Sequence, residues 1–158
     1  MKFSDFVVAP AIRAEIAADD KPGVIQELVA SLASSGAIHP EDAPGIVAAI
    51  MKREELGSTG IGRGIAVPHT KHPSVKKLVG AVGVSEKGVE FESLDGERVY
   101  LFFLLISPPD LPVEHLRALE NISRQLRDDM FCKFLKSARS VEEIQTVLRE
   151  ADAGKFVS

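Results

Sequence analysis

Apolar positions recur every three or four residues in four stretches of the chain, the spacing of a helix with one buried face. The first begins near Asp20 and Pro22, residues typical of a helix start, and ends at Gly36. The second begins near Pro40 and ends at Gly57. The residues predicted to face inward on these two helices are Ile25, Leu28, Val29, Leu32, Ile46, Val47, Ile50 and Met51.

The other two helical stretches lie in the C-terminal third. One long helix is predicted from about Pro112 to Lys136, and a last helix follows it. The buried face predicted for the long helix consists of Leu116, Leu119, Ile122 and Leu126. The apolar residues of the last helix are Val141, Ile144, Val147 and Leu148.

Between these helix pairs the pattern changes to that of β-strands. A glycine-rich loop over residues 57–64 precedes a short strand, Ile65–Val67, which Pro68 ends. Residues 78–84 form a second apolar stretch, and residues 89–91 alternate before the turn signal Asp95-Gly96. The continuous apolar run over residues 99–106 is typical of a central strand covered on both faces. Helices before and after these strands predict an α/β sandwich, and the absence of a linker predicts one domain over residues 1–158.

The composition is that of an ordinary soluble protein, and it limits the compartments and the partner classes that we expect. The chain has 158 residues, a net charge of −4 and one cysteine, Cys132, which favours a reducing compartment. The longest apolar run is far shorter than the roughly 20 residues of a membrane helix, and the N-terminus does not resemble a signal peptide. We therefore expect a cytoplasmic protein without membrane insertion. Its acidity argues against nucleic acid as the partner.

The charge is unevenly distributed. Residues 57–85 contain no Asp or Glu, although the chain as a whole is acidic. The basic residues and histidines of this segment are Arg63, Lys71, Lys76, Lys77, His69 and His72. Such an island is compatible with a site that handles an anion or with an ordinary solvated basic surface, and charge alone leaves both interpretations open.

His69 is the strongest candidate for chemistry, since it follows Pro68 at the end of a predicted strand. Strand ends are where ligands bind in α/β sheets, and a neutral imidazole is a competent nucleophile towards phosphorus. A histidine in a surface turn is the simpler alternative. Arg53 has the guanidinium that grips two phosphoryl oxygens, although a cation also suits the end of a helix. Ser58, Thr59 and Gly60 offer hydroxyl and backbone donors that would bind phosphate, or they simply form a tight loop.

The remaining candidates carry weaker signals. His115 lies in the first turn of the long helix, where a surface residue is common, but a second imidazole would also serve as a hydrogen-bond donor to a phosphoryl group. His39 and His72 are interpreted as surface residues, and Cys132 as a buried structural thiol. The histidine spacing does not match a metalloprotease or zinc signature, and the glycine loop matches neither a dinucleotide-binding motif nor a P-loop. No metal is expected.

The string from Lys52 to His69, with Arg-Glu, Gly-Ser-Thr-Gly-Ile-Gly and Pro-His in order, resembles the active-site segment of the type 2 EIIA domains of the bacterial phosphotransferase system. This is the fructose, mannitol and nitrogen-regulatory class. The resemblance extends over nearly the whole chain, including the strand at 99–106 and the segment 115–119. It implies an α/β sandwich around a mixed sheet, sandwiched between helices.

The resemblance also implies roles for individual residues. His69 matches the histidine that is phosphorylated by the carrier protein HPr or its nitrogen-branch counterpart. His115 matches the second active-site histidine and Arg53 the active-site arginine. No cofactor is required, because the phosphoryl group arrives on a protein. Arg63 and Thr70 occupy positions where glycine or asparagine is often found, a difference without a derived consequence.

Two functions compete within this family, and a third lies outside its chemistry. The protein is either a stand-alone regulator, whose phosphorylation state controls a target protein, or a carrier that passes phosphate to the EIIB domain of a sugar transporter. The segment from Ser58 to His69 is similar to the nitrogen-regulatory members, which favours the regulator. A binding module that has lost phosphorylation is the third possibility, and the joint presence of His69, Arg53 and His115 argues against it.

Overall fold

The computed structural model describes residues 1–156 of the chain. Over this range it forms an α/β sandwich in which helices cover both faces of a mixed sheet, as predicted. The helices are α1 (Lys21–Ser34), α2 (Ala43–Glu55), α3 (Pro112–Leu126), α4 (Asp129–Ser137) and α5 (Val141–Asp152). The strands are β1 (Gly60–Gly62), β2 (Ile65–Ala66), β3 (His69–Lys71), β4 (Val79–Val89) and β5 (Val99–Ser107). Single turns of 3-10 helix occur at Phe3–Asp5, Ala9–Ala11 and Pro40–Asp42.

Strand β5 is the centre of the sheet, as its uninterrupted apolar sequence predicts. Strands β2 and β3 lie one after the other along one edge of β5 and run parallel to it. Strand β4 pairs antiparallel with the other edge, with Val79 opposite Ile106. The N-terminal segment adds isolated parallel bridges to β4, at Val7 with Gly80 and at Arg13 with Gly83.

Alternate side chains of β5 enter two separate cores. Leu101, Phe103 and Leu105 pack with the residues of α3, α4 and α5. Phe102, Leu104 and Ile106 pack on the opposite face with α1 and α2, against residues such as Ile25 and Ile50. Every one of these six strand side chains is buried, so β5 contributes to both cores and the sheet is packed between two helical layers.

The two N-terminal helices form where the pattern predicts them. Asp20 caps α1, because its carboxylate accepts the backbone N–H of Gly23 at 2.8 Å. The second predicted helix starts with the 3-10 turn at Pro40–Asp42 and becomes α-helical at Ala43. The predicted buried strand at residues 78–84 is longer than expected, since β4 continues to Val89 after an irregularity.

The predicted loop over residues 57–64 contains regular structure. Its middle forms β1, which pairs antiparallel with β2. Arg63 and Gly64 connect the two strands with φ values of 62° and 77°. Two successive residues with positive φ are the backbone requirement of a tight hairpin, and glycine adopts this conformation freely. The prediction of a loop over residues 57–64 was therefore wrong for the part that forms the hairpin, whose turn glycine makes possible.

The prediction of a single long helix over residues 112–136 is wrong. The segment forms two helices, α3 and α4, because the Asp128 carboxylate accepts the N–H groups of Met130 and Phe131 and so begins a new helix. The predicted buried face was wrong at Leu116, whose exposed fraction is 64%. The face that packs on the sheet passes instead through His115, Ala118 and Ile122. No helix within residues 1–156 is long and apolar enough to cross a membrane.

Candidate phosphoryl-transfer site

His69 is the first residue of β3 and its side chain is half-buried. Pro68 precedes it, and the Pro68 carbonyl accepts the N–H of Leu105 at 3.0 Å, so the backbone is attached to β5 directly before the histidine. The imidazole Nδ1 lies 2.8 Å from the carbonyl oxygen of Val67. A carbonyl oxygen only accepts, so Nδ1 carries the proton and donates it. The lone pair of the neutral ring is therefore on Nε2.

The surroundings of His69 favour its neutral form. Burial is the largest influence and lowers its pKa, and the Arg53 charge lowers it further. The hydrogen bond to Val67 and the Glu54 charge oppose this decrease, but the net direction is downward. At neutral pH the ring is consequently unprotonated at Nε2, the state in which that nitrogen is a nucleophile.

His115 lies beside His69, in the first turn of α3. The two ring centroids are 5.7 Å apart and the ring planes are inclined at 52°. Nδ1 of His115 shares a 2.5 Å hydrogen bond with the hydroxyl of Ser107, the last residue of β5. Burial lowers the pKa of His115 to about 4, helped by the nearby His69 and by the charge of Lys71. His115 is therefore a neutral ring held by a buried serine.

Arg53 approaches the pair from the last turn of α2. Its Nη1 donates to the carbonyl oxygen of Gly57 at 2.8 Å, which fixes the guanidinium against the end of its own helix. One hydrogen bond leaves the other donors of the guanidinium for a ligand. The charge lies close enough to His69 to lower the pKa of that histidine. The structure thus brings together Arg53, His69 and His115 from three separate elements.

The three predicted phosphate-binding residues lie on the adjoining segment, with donors engaged inside the protein. The Ser58 hydroxyl donates to the carbonyl of Phe91 at 3.2 Å. The N–H and the hydroxyl of Thr59 both donate to the carboxylate of Glu54. The N–H of Gly60 donates to the Ser58 hydroxyl at 3.0 Å. These hydrogen bonds shape the segment, and phosphate binding by Ser58, Thr59 and Gly60 stays a prediction.

Sequence reasoning missed the groups that support the site. Ser107 orients His115, and Glu54, buried beside Lys21, holds Thr59. Ser107 comes one residue after the predicted central strand, which was a signal that a polar group stands at that strand end. Glu54 and Lys21 gave no such signal, because they are far apart in the chain and each looks like a surface residue on its helix.

The remaining residues considered in the sequence, Arg63, His39, His72 and Cys132, take no part in the cluster of Arg53, His69 and His115. Arg63 donates to Asp129 at 2.6 Å and to the carbonyl of Leu126, which ties the hairpin turn to the junction between α3 and α4. His39 is exposed, and the ring of His72 hydrogen-bonds Ser74. Cys132 is buried, as expected. Among residues 1–156, no group of three or more His, Cys, Asp or Glu side chains is arranged to hold a metal ion.

The fold and these side chains describe an α/β protein with a neutral imidazole, free at Nε2, at the end of a strand. Residues 6–151 match the family model of the phosphoenolpyruvate-dependent sugar phosphotransferase system, EIIA 2. The chain belongs to this family, whose members are phosphoryl-transfer components. The resemblance of the Lys52–His69 segment is thereby confirmed as membership of the type 2 EIIA family.

Relatives from both branches of the family are similar to this chain. A nitrogen regulatory protein of Bradyrhizobium diazoefficiens is 34% identical over 148 residues, covering 94% of this chain and 95% of the relative. The fructose-specific EIIABC component of Bacillus subtilis is 35% identical over 152 residues, which are 96% of this chain but 24% of that protein. The crystal structure of the nitrogen regulatory protein IIA-Ntr from Neisseria meningitidis superposes with a TM-score of 0.82, at 27% identity, covering 92% of this chain and 98% of that one.

Proposed function

We propose that this chain is a phosphocarrier in which Nε2 of His69 accepts a phosphoryl group from an HPr-type protein. The observation that carries the proposal is the hydrogen bond from Nδ1 of His69 to the carbonyl of Val67, which leaves the Nε2 lone pair available. Family membership supplies the reaction class. The phosphohistidine intermediate and the HPr-type donor follow from the chemistry and the resemblance together.

The transfer balances without a cofactor or a net proton movement. The bond between Nε2 and phosphorus forms as the bond from phosphorus to the donor's histidine nitrogen breaks, and that nitrogen keeps the electron pair. The Nδ1 proton stays on the hydrogen bond to Val67 throughout. The transition state carries negative charge on three equatorial oxygens, so positioning and electrostatics dominate catalysis. Arg53 supplies positive charge there, and His115 is close enough to contact the same oxygens through its ring.

The decisive experiment is phosphorylation by phosphoenolpyruvate, Enzyme I and an HPr-type donor. We expect uptake of one acid-labile, base-stable phosphate, with ³¹P and ¹⁵N NMR placing it on Nε2 of His69. His69→Ala should abolish uptake, whereas His72→Ala and His39→Ala should not. Uptake by a folded His69→Ala protein, or no uptake by the wild type, would overturn the assignment.

The phosphorylated protein has two candidate roles, each favoured by a relative. The nitrogen regulatory relative matches over almost its full length, which supports a regulator whose partner distinguishes the two states of His69. A phosphoryl group adds nearly two negative charges beside Arg53, and a partner complementary to one state would bind it more tightly by about 1–3 kcal/mol. The fructose-specific relative supports the alternative, transfer to an EIIB domain.

A transfer assay separates these roles. The ³²P-labelled protein is mixed with an isolated fructose- or mannitol-type EIIB domain, and loss of label is followed in time. A regulator should keep its label, and its affinity for a purified target should differ between the phosphorylated protein and His69→Ala. Rapid, complete transfer to EIIB would establish the sugar role instead. A cytoplasmic location and a single domain over residues 1–158 stay predictions of the sequence.

A further inference from the structure

We infer that the buried ion pair of Lys21 and Glu54 positions the His69 imidazole, acting through Thr59 and Val67. None of these four residues is assigned this role by the family resemblance. The inference rests on the proposed function only for its effect on rate, since its direct effect is on the geometry and tautomer of the ring. Lys21 and Glu54 are positioning residues in this scheme and do not touch the phosphoryl group.

The ion pair is almost entirely withdrawn from solvent. The side chains of Lys21 and Glu54 are 8% and 2% exposed, and Lys21 Nζ lies 3.0 Å from Glu54 Oε1. Lys21 also stands 4.9 Å from the centre of the Phe91 ring. A buried pair adds little net stability, because the loss of hydration offsets the attraction between the charges. Its presence between α1 and the end of α2 therefore calls for a role other than stability.

Apart from Lys21, the Glu54 carboxylate binds Thr59. Its Oε1 accepts the backbone N–H of Thr59 at 3.1 Å, and its Oε2 accepts the Thr59 hydroxyl. The two hydrogen bonds that Thr59 donates to this carboxylate fix both its backbone and its side chain, and bonds to a charged acceptor are the stronger kind. Lys21 in turn holds the carboxylate, so Thr59 is attached to α1 as well as to α2.

A continuous series of hydrogen bonds leads from Thr59 to the imidazole. The carbonyl of Thr59 accepts the N–H of Val67 at 3.1 Å. The carbonyl of Val67 accepts Nδ1–H of His69 at 2.8 Å. Thr59 therefore holds the N–H of Val67, and the carbonyl of Val67 in turn holds the His69 ring.

This series determines which ring nitrogen is nucleophilic. The tautomer of a neutral histidine is set by the hydrogen bond that one nitrogen makes, here Nδ1 with Val67. If Thr59 moves, Val67 loses the hydrogen bond on its N–H and keeps only the attachment of its neighbours to β5, so its carbonyl is less well aligned and the form protonated at Nε2 competes with the reactive form. The ring also gains freedom to leave the in-line orientation, and misplacement of a reacting atom by about 1 Å costs up to 10²-fold in rate.

The sharpest test compares three sets of variants. Thr59→Val removes the hydroxyl at nearly constant volume, and Thr59→Ser keeps it. Lys21→Met/Glu54→Leu removes both charges together, so that neither is left buried alone. Glu92→Gln is the matched control, because Glu92 is the second and more distant partner of Lys21, at 3.7 Å, with a 79% exposed side chain.

Two readouts are taken on each variant after its folding is verified by denaturation. The ¹⁵N chemical shifts of His69, at about pH 8 and above the ordinary pKa of imidazole, report the tautomer. Single-turnover uptake from the phosphorylated donor, as a function of donor concentration, separates the maximal rate from the apparent KM. In Thr59→Val and Lys21→Met/Glu54→Leu, we expect a smaller population of the Nδ1–H tautomer of His69. Their maximal rate should fall about 10- to 100-fold, and their apparent KM should be unchanged. Thr59→Ser, which keeps the hydroxyl, should retain the wild-type tautomer, and Glu92→Gln should stay within about twofold of the wild type in both readouts.

A purely structural ion pair predicts a different result. If the pair only stabilises the fold, its removal lowers the free energy of unfolding, and every folded variant keeps the wild-type tautomer and rate. That outcome would overturn the inference. If Lys21→Met/Glu54→Leu does not fold, the tautomer of His69 in Thr59→Val decides the matter, because that readout does not depend on phosphate binding by Thr59. The NMR readout needs no phosphorylation, so a failure of the proposed function would leave this test intact and recognisable.

Discussion

His69 and His115 lie 5.7 Å apart between ring centroids, and each ring is oriented by a different neighbour on its Nδ1. The Val67 carbonyl orients His69, and the Ser107 hydroxyl orients His115. The pKa of each ring is lowered, so the two imidazoles approach without the repulsion of two cations. The pair is therefore prepared for an incoming anion while carrying no charge of its own.

The stability of the protein should decrease in mild acid because of His115. Its pKa of about 4 in the native state lies below the ordinary value, so the unfolded chain binds a proton that the native state refuses. The free energy of unfolding should have its full value above about pH 6.5 and fall by up to about 3 kcal/mol as the pH drops towards 4. Urea denaturation at several pH values measures this slope. His115→Gln should reduce the slope and leave the part that the lowered pKa of His69 contributes, and His39→Gln, at an exposed position, should leave it unchanged; an equal slope in His115→Gln would contradict the prediction.

Removal of the Arg53 guanidinium should slow phosphoryl uptake strongly. Loss of one charged donor to a developing anion typically costs about 10²–10³-fold, so Arg53→Ala should show a decrease of this size in quench-flow. Arg53→Lys keeps the charge but not the two-pronged geometry and should be intermediate. Lys52→Ala changes the exposed neighbour on the same helix turn and serves as the control. A folded Arg53→Ala protein within a few-fold of the wild type would show that Arg53 does not contact the reacting group.

Leu116 should contribute to partner binding rather than to stability. Its side chain is 64% exposed and directly follows His115 on α3, so a partner that reaches the histidines would cover it. Leu116→Ser should change the free energy of unfolding by less than about 0.5 kcal/mol but raise the apparent KM for the phosphorylated donor severalfold. Met130→Ser alters another exposed apolar residue, on the first turn of α4 beside the Arg63 contact, and should leave KM unchanged. Equal KM values for both variants would remove Leu116 from the binding surface.

The Asp128 carboxylate should be worth about one kcal/mol as the cap of α4. Asp128→Ala removes the acceptor for the N–H groups of Met130 and Phe131, and denaturation should report a loss of this size. Asp128→Asn keeps an acceptor oxygen and should recover most of the stability. If both variants are as stable as the wild type, the division between α3 and α4 must have another cause.

Cys132 should be a slow-reacting thiol in the native protein. Burial raises its pKa, and its Sγ–H donates to the carbonyl of Leu126 at 3.2 Å. A raised pKa lowers the thiolate fraction and burial restricts access of the reagent, so alkylation by iodoacetamide should be slower than in the urea-unfolded chain. The measured rate should increase with denaturant as the helix opens. Reaction at the unfolded rate under native conditions would contradict the burial of the thiol.

The sequence predicted the parts of this protein that depend on local pattern. Residues 99–106 were identified as a doubly covered strand because both cores require apolar side chains from it, and Pro68-His69 stood out at a strand end. Leu116 was misplaced because a leucine at helical spacing looks buried, whereas the actual face of α3 includes His115. The link between Lys21 and Glu54 joins two helices distant in the chain, and only the packing of those helices creates it.

The bridges that Val7 and Arg13 make with β4, and that Asp20 makes with Glu90 just after it, have a consequence for shortened versions of the protein. They place the N-terminal segment along the outer edge of the longest strand of the sheet. An uncovered strand edge of that kind is a template for pairing with other chains. Trimming the N-terminus up to the first helix would expose this edge and also remove buried side chains such as Phe3 and Ile16, and the product should self-associate and precipitate during purification.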